Sequence, residues 1–283
     1  MFMAQAYQEK RISLEACRLK ELGLPAVEGR GAIDHQLFMD WTKVGMRNKS
    51  VYEYMEQKSP SVGLLIGDAI DCQGGHLVRV GFEKASQWED QESFIFFPKS
   101  NFRFGRAENT HSQNIYVCDG DLRQSYQFLD GINDNVLIEV QSSTGIVWTP
   151  PSSFPGGEYE WSAKGAPTRI PANTLIEGTT MLAIAYLLDW HVHESMPQLE
   201  VTAAVAGVLA RAGVDRRPAR DIVSISNWAG DDKTTRYRRR DTVSRVYRRM
   251  DAGKNVPNAG DLERFLGATV TARIIEWLGR LAF

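Results

Sequence analysis

From Ala4 to Leu22 the apolar residues Ile12, Leu14, Cys17, Leu19 and Leu22 recur at near-helical spacing, and LGLP closes the run with Gly and Pro. A second helix is predicted between His35 and Gln57, with Phe38, Trp41, Val44, Val51 and Tyr54 on its apolar side. The period then changes. Val62–Ile66, His76–Phe82, Ser93–Phe97, Gln113–Val117, Val136–Val140 and Gly145–Thr149 are short β-branched or aromatic runs bounded by turn residues, and they read as strands. From Asn173 onward the pattern is helical again, through Leu182, Ala185 and Tyr186, then Val201, Val205, Val208 and Leu209, then Val243, Val246, Tyr247 and Met250. A last helix is expected from about Asp261, burying Phe265, Ile274, Trp277 and Leu278, with Gly213, Gly230 and Gly253 placed to end three of the earlier helices. The pattern predicts an α+β domain over residues 1–172 and an all-α helical domain over 173–283.

The chain has 283 residues, enough for two modest domains, and its 43% hydrophobic and 24% charged composition is that of a folded protein. Cys17, Cys72 and Cys118 form no CxxC pair, which argues against a cysteine zinc site or disulfide framework and suits a reducing cytoplasm. No apolar stretch reaches membrane-spanning length, so no membrane is expected. The net charge of -2 hides a split, since Met1–Ala210 carries -9 and Arg211–Lys254 carries +7. A concentrated basic segment in a slightly acidic chain suits a polyanion, because neutralised phosphates release counterions.

Two segments carry a resemblance. RFGRAENTHSQNIYV leads through a Gly-Arg pair into a strand ending in an aromatic, and EVQSSTGIVWT runs into PPSSFPGGEYEW at 150–161. They resemble the primase-polymerase module of phage and plasmid replication proteins, the bifunctional DNA primase/polymerase branch of the archaeo-eukaryotic primase superfamily. The later TAAVAGVLARAG, a GD before a basic helix, AGKNV, DLERFLG and EWLG are similar to the helical domain that follows in that family. Together they cover about residues 60–280. Members of this family synthesise primers from nucleoside triphosphates with magnesium or manganese.

The resemblance implies a site of three carboxylates, two alternating on one strand and one on a later strand. Glu139 matches the last of these. The strand GGHLVRVGFEKA places Arg79 and Gly81 at the other two positions, and Gln113 stands where the family has a histidine that meets phosphates. Metal-dependent nucleotidyl transfer needs clustered acids to hold the cations, so the expectation is a degenerate site with weak or absent polymerase activity. The charge reversal at residue 79 further suggests that the Arg79 guanidinium lies against Glu139 in the space of the metal. The retained role would be binding of DNA or RNA, and of nucleoside triphosphate, beside a separately encoded helicase or an active replication partner. Two other classes are carried along, an active primase-polymerase with unconventional ligands and a metal-dependent nuclease built on Glu139 and Gln141.

Lys99, Arg103 and Arg106, with Ser112, are candidate phosphate contacts ahead of the Gln113 strand. The predicted helix over Thr234–Met250 carries Arg236, Arg238, Arg239, Arg240, Arg245, Arg248 and Arg249 as a candidate nucleic-acid face. His191, His193 and Glu194 lack the spacing that would put both imidazoles on one helix side, Asp119 and Asp121 read as a turn, and Tyr159 and Trp161 read as core aromatics, with stacking on a base as the alternative.

Overall fold

A computed structural model describes residues 15, 18–19, 21–22, 24, 26–29, 61–72, 74–82, 95–107, 109–122, 124–143, 145–154, 157–225 and 233–281. The described chain is α+β, with eleven strands in one sheet and, from Ala172 on, five helices. Contacts divide it into two compact units. The first holds Met1–Gln87, Pro98–Gln127 and Glu139–Ala172, and the second holds Trp88–Phe97, Phe128–Ile138 and Asn173–Phe283.

In the first unit the sheet runs β1 (Ala26–Gly29), β2 (Ser61–Cys72), β3 (Gly75–Phe82), β5 (Asn109–Asp119), β4 (Phe102–Arg106), β10 (Gly157–Lys164) and β9 (Ser153–Phe154). β8 (Gly145–Thr149) pairs with β2, and β7 (Val136–Gln141) pairs with β3 and with β6 (Tyr126–Leu129). The registered pairs are antiparallel except for β11 (Thr168–Pro171), which runs parallel to β5. Alternation along the strands decides what each face carries. Leu77, Ile115, Val117, Phe102 and Phe104 join Leu64, Ile66 and Val147 in a buried cluster that Leu19 and Leu24 also enter. Trp161 packs edge-on to Phe102 and Phe104, with centroids 4.8 and 5.4 Å apart, and Tyr159 meets Phe104 at 5.5 Å. These aromatics are partly buried core, which is how the strand pattern read them.

The second unit is built on α1 (Ala172–His191), α2 (Gln198–Arg211), α3 (Arg216–Ile225), α4 (Lys233–Asp251) and α5 (Ala259–Gly279). α2, α3 and α4 pack on one another, and α5 packs on α2. Gly213 (φ 80°) and Gly253 (φ 66°) take the left-handed conformation just past α2 and α4, where glycine avoids the Cβ penalty. The Asn258 side chain accepts from Gly260 and Asp261 while the Asp261 carboxylate accepts from the Asn258 N–H at 2.9 Å, a reciprocal cap that starts α5. Trp277 from α5 lies edge-on to Phe128, 5.2 Å between centroids, so a piece of the β6–β7 hairpin belongs to this core. No described helix is long and apolar enough to cross a membrane.

Some expectations need correction. Ile95–Phe97 is a bend rather than a strand, because Phe97 turns inward to pack on Gly178 and Ile95 is left exposed. The strands at β4, β6, β10 and β11 lie outside the predicted runs, since their apolar residues are interleaved with Arg, Gln, Glu and Lys. Of the first predicted helix, Glu15, Arg18, Leu19 and Glu21 are helical, while the helix over His35–Gln57 and Gly230 lie outside the described residues. Phe265 is half-buried and Met250 exposed, so neither belongs to the fully buried stripe.

Candidate functional site

β3 and β5 are registered so that Gly81 faces Gln113 and Arg79 faces Ile115. Residues 79, 81 and 113 therefore share one face of the sheet, and β7 brings Glu139 to the same place. The Arg79 Nε donates to Gln113 Oε1 and the Nη1 donates to Glu139 Oε2. Gln127 on β6, a residue the sequence did not single out, donates from its side-chain nitrogen to Glu139 Oε1 at 2.9 Å. The Arg79–Glu139 contact suggested by the charge reversal is thus present. One guanidinium joins Gln113 and Glu139, and both carboxylate oxygens have donors.

Gly81 has a spatial role. A Cβ at residue 81 would sit 2.6 Å from Arg79 Nη2 and 3.0 Å from its Cζ, closer than side-chain contacts ordinarily come. With a Cβ at 81 the far end of the Arg79 side chain would have to shift from its present place. Arg79 and Gly81 therefore form a matched pair, in which the first supplies a cation and the second the room for it.

The Arg79 side chain is 14% exposed and that of Glu139 27%. Burial by itself would raise the Glu139 pKa, but the Arg79 charge and the hydrogen bonds from Gln127 and Arg79 outweigh it, and the carboxyl is held below its ordinary value. It is an ionised acceptor at neutral pH. Magnesium or manganese, which the resemblance implies, does not suit these donors. Hard cations take several oxygens, whereas here a single carboxylate has one oxygen facing a guanidinium and the other facing an amide NH2. Among the described residues no three His, Cys, Asp or Glu side chains gather as a metal would require.

The basic run ahead of β5 is divided by the sheet. Arg103 is registered with Asn114 and not with Gln113, so it points to the opposite face, where it is buried and its charge acts on Tyr116. Arg106 lies over the Tyr159 ring, 5.6 Å from its centroid, at the far end of β4. Lys99 precedes β4, its carbonyl accepting from Thr168 Oγ1 at 3.2 Å. Ser112 is next to Gln113, whose side-chain nitrogen lies 3.4 Å from its hydroxyl. Of these, Arg103 accordingly points away from Gln113, while Arg106, two residues after the Phe104 that is registered with Gln113, lies on the Gln113 side of the sheet.

On α4 the seven arginines part company. Arg239 is 0% exposed and belongs to the inner stripe with Thr242, Val243, Val246 and Tyr247, so its assignment to the outer cationic face is corrected. Its position four before Val243 and seven before Val246 explains this, because those spacings share one side of a helix. Arg236 is half-buried, and Arg240 reaches Asp221 at 3.8 Å. Arg245 pairs with Asp241 at 3.2 Å and also donates to Thr242 at 2.9 Å, and Arg249 donates to the Asn255 carbonyl at 3.0 Å. Arg238 and Arg248 are exposed, the latter bonded to its own helix at the Ser244 carbonyl, 3.3 Å away.

The remaining candidates fall to structural roles. His191 ends α1 and is buried, with burial pushing its pKa down, while His193 and Glu194 are exposed in the turn after it. Asp119 pairs with Arg169 across β5 and β11, and Gly120 (φ 97°) turns the chain before Asp121. Compared with known proteins, the chain matches no family model and no curated protein.

Proposed function

We propose that this chain is a primase-polymerase-like replication protein that binds nucleic acid, and nucleoside triphosphate with it, and in which an internal ion pair has replaced metal-dependent nucleotidyl transfer. The single observation that carries the reading is the meeting of Arg79, Gly81, Gln113 and Glu139. These are the four positions that the resemblance selects from separated parts of the chain, and here Arg79 stands in contact with the carboxylate that a metal would need. On this reading the sheet unit has a primase-like fold, and the chain works in the cytoplasm beside a helicase or a catalytically competent replication partner.

The chemistry agrees with binding rather than turnover. A guanidinium held by Gln113 and Glu139 cannot accept a proton from an attacking hydroxyl, nor can it supply the coordination through which metal ions neutralise the oxygens of a pentacoordinate phosphoryl transition state. The basic segment after Arg211 supplies the charge for holding a phosphodiester backbone. The test is a titration of labelled primed and unprimed single-stranded DNA with the full chain at several salt concentrations. Affinity that falls steeply with salt supports the reading, and an absence of binding even at low salt removes it.

A further inference from the structure

We infer that α2, the turn after it and α3 form a helix-turn-helix that seats α3 in the major groove of duplex DNA. This rests on the reading of the chain as a nucleic-acid binder and names the form of nucleic acid that this part of it takes.

The connection between α2 and α3 is four residues, Ala212–Asp215, the length such motifs use. It is closed tightly. Gly213 takes φ 80°, the Gly213 N–H donates to the Ala210 carbonyl at 3.1 Å, and the Val214 N–H donates to the Leu209 carbonyl at 3.0 Å. Val214 is buried, and its carbonyl accepts from the Tyr247 hydroxyl at 2.7 Å, which pins the turn to α4. α3 buries Ala219, Ile222, Val223 and Ile225, while α2 buries Val205, Val208 and Leu209. With α4 packed on both, the three helices form a unit in which α3 is firmly backed.

What α3 leaves outside is basic. Arg217 is 95% exposed, and among the described residues its paired acid is Asp221, 4.0 Å away. Arg220, one turn further on, is half-buried, with its Nε enclosed. Arg216 pairs with Asp251 at 2.8 Å and lies over the Tyr247 ring, an exposed pairing that a phosphate or a base edge can replace at little cost. By contrast most of the α4 arginines are turned inward or engaged with Asp221, Asp241, Thr242 and Asn255. A backed helix carrying arginines near its start is the form in which a recognition helix reads base edges. The major groove of B-DNA admits a helix, whereas that of A-form RNA is too narrow. DNA duplex is therefore the partner.

Fluorescence anisotropy of the full chain with a DNA duplex, an RNA duplex of the same sequence and the single DNA strand tests this. Arg217→Glu combined with Arg220→Ala is expected to weaken duplex DNA about tenfold or more and to reduce the salt slope by about two, while single-strand affinity is kept. Arg217→Ala alone, a change at a side chain that meets mainly solvent, should move duplex affinity in the same direction, and unchanged thermal unfolding of both variants shows that the fold is intact. Wild-type binding of duplex DNA that survives both changes, or equal binding of duplex RNA, overturns the helix-turn-helix while leaving the nucleic-acid reading in place. Wild-type binding of no nucleic acid overturns both.

Discussion

Arg79 and Arg217 put the same side chain to opposite uses. Arg79 lies along a central strand, 14% exposed, its guanidinium divided between a carboxylate and a carboxamide. Arg217 stands 95% exposed on a helix, its described ion pair with Asp221 no shorter than 4.0 Å. Removing the first leaves Glu139 partly desolvated without its cation, while removing the second leaves water. At Arg79 a guanidinium balances charge inside the fold, and at Arg217 one is offered outward.

The largest effect that would sharpen this contrast is on stability. Arg79→Ala should cost about 2 kcal/mol, below the full value for a buried pair because Glu139 keeps some contact with water. Urea unfolding measures it, and the double change Arg79→Ala with Glu139→Gln should recover part of the loss, since the stranded charge is then gone. If Arg79→Ala is silent, the centre is a surface pair and the contrast fails.

Gly81→Ala comes next, at about 1 kcal/mol from crowding of the guanidinium. In the Arg79→Ala background the same change should cost nothing, because the atoms 2.6 and 3.0 Å from the new Cβ are gone. Equal costs in the two backgrounds would dissociate Gly81 from Arg79.

The pH dependence is a smaller effect with a definite sign. The folded pKa of Glu139 lies below its unfolded value, so between the two the unfolded chain binds more protons and stability rises with pH. The contribution is complete above the ordinary carboxylate range and is lost as the pH falls through the lower, folded value. Chemical denaturation across this range should show a flatter profile for Arg79→Ala than for the wild type. At the other end of the scale Arg217→Ala should change unfolding by no more than about 0.5 kcal/mol, and a larger loss would mean that Arg217 is structural.

The sequence announced these regions unequally. The helices after residue 172 could be placed closely, because Val201, Val205, Val208 and Leu209, and Val243, Val246 and Tyr247, keep a clean helical period, and Gly213 and Gly253 mark two ends. The sheet was harder to read. β4 and β10 alternate aromatics with Arg, Glu and Lys, and the β6–β7 hairpin divides between the two units, which no local pattern could reveal. The positions Arg79, Gly81, Gln113 and Glu139 were visible through the resemblance, and the sign of residue 79 pointed to its partner. Gln127 was not, since a glutamine on a four-residue strand carries no periodic signal. Arg239 was misread because a charged residue on an apolar stripe looks like solvent-facing charge until the packing is known, and the α3 arginines were passed over beside the denser run on α4.

Nucleotide incorporation on a primed single-stranded template, with magnesium and separately with manganese, tests the central claim most directly when wild type and Glu139→Gln are run side by side. A centre closed by Arg79 gives incorporation no higher than background in both proteins and with both metals. Metal-dependent incorporation by the wild type that disappears in Glu139→Gln would contradict the claim, showing that Glu139 serves a working nucleotidyltransferase despite the guanidinium beside it.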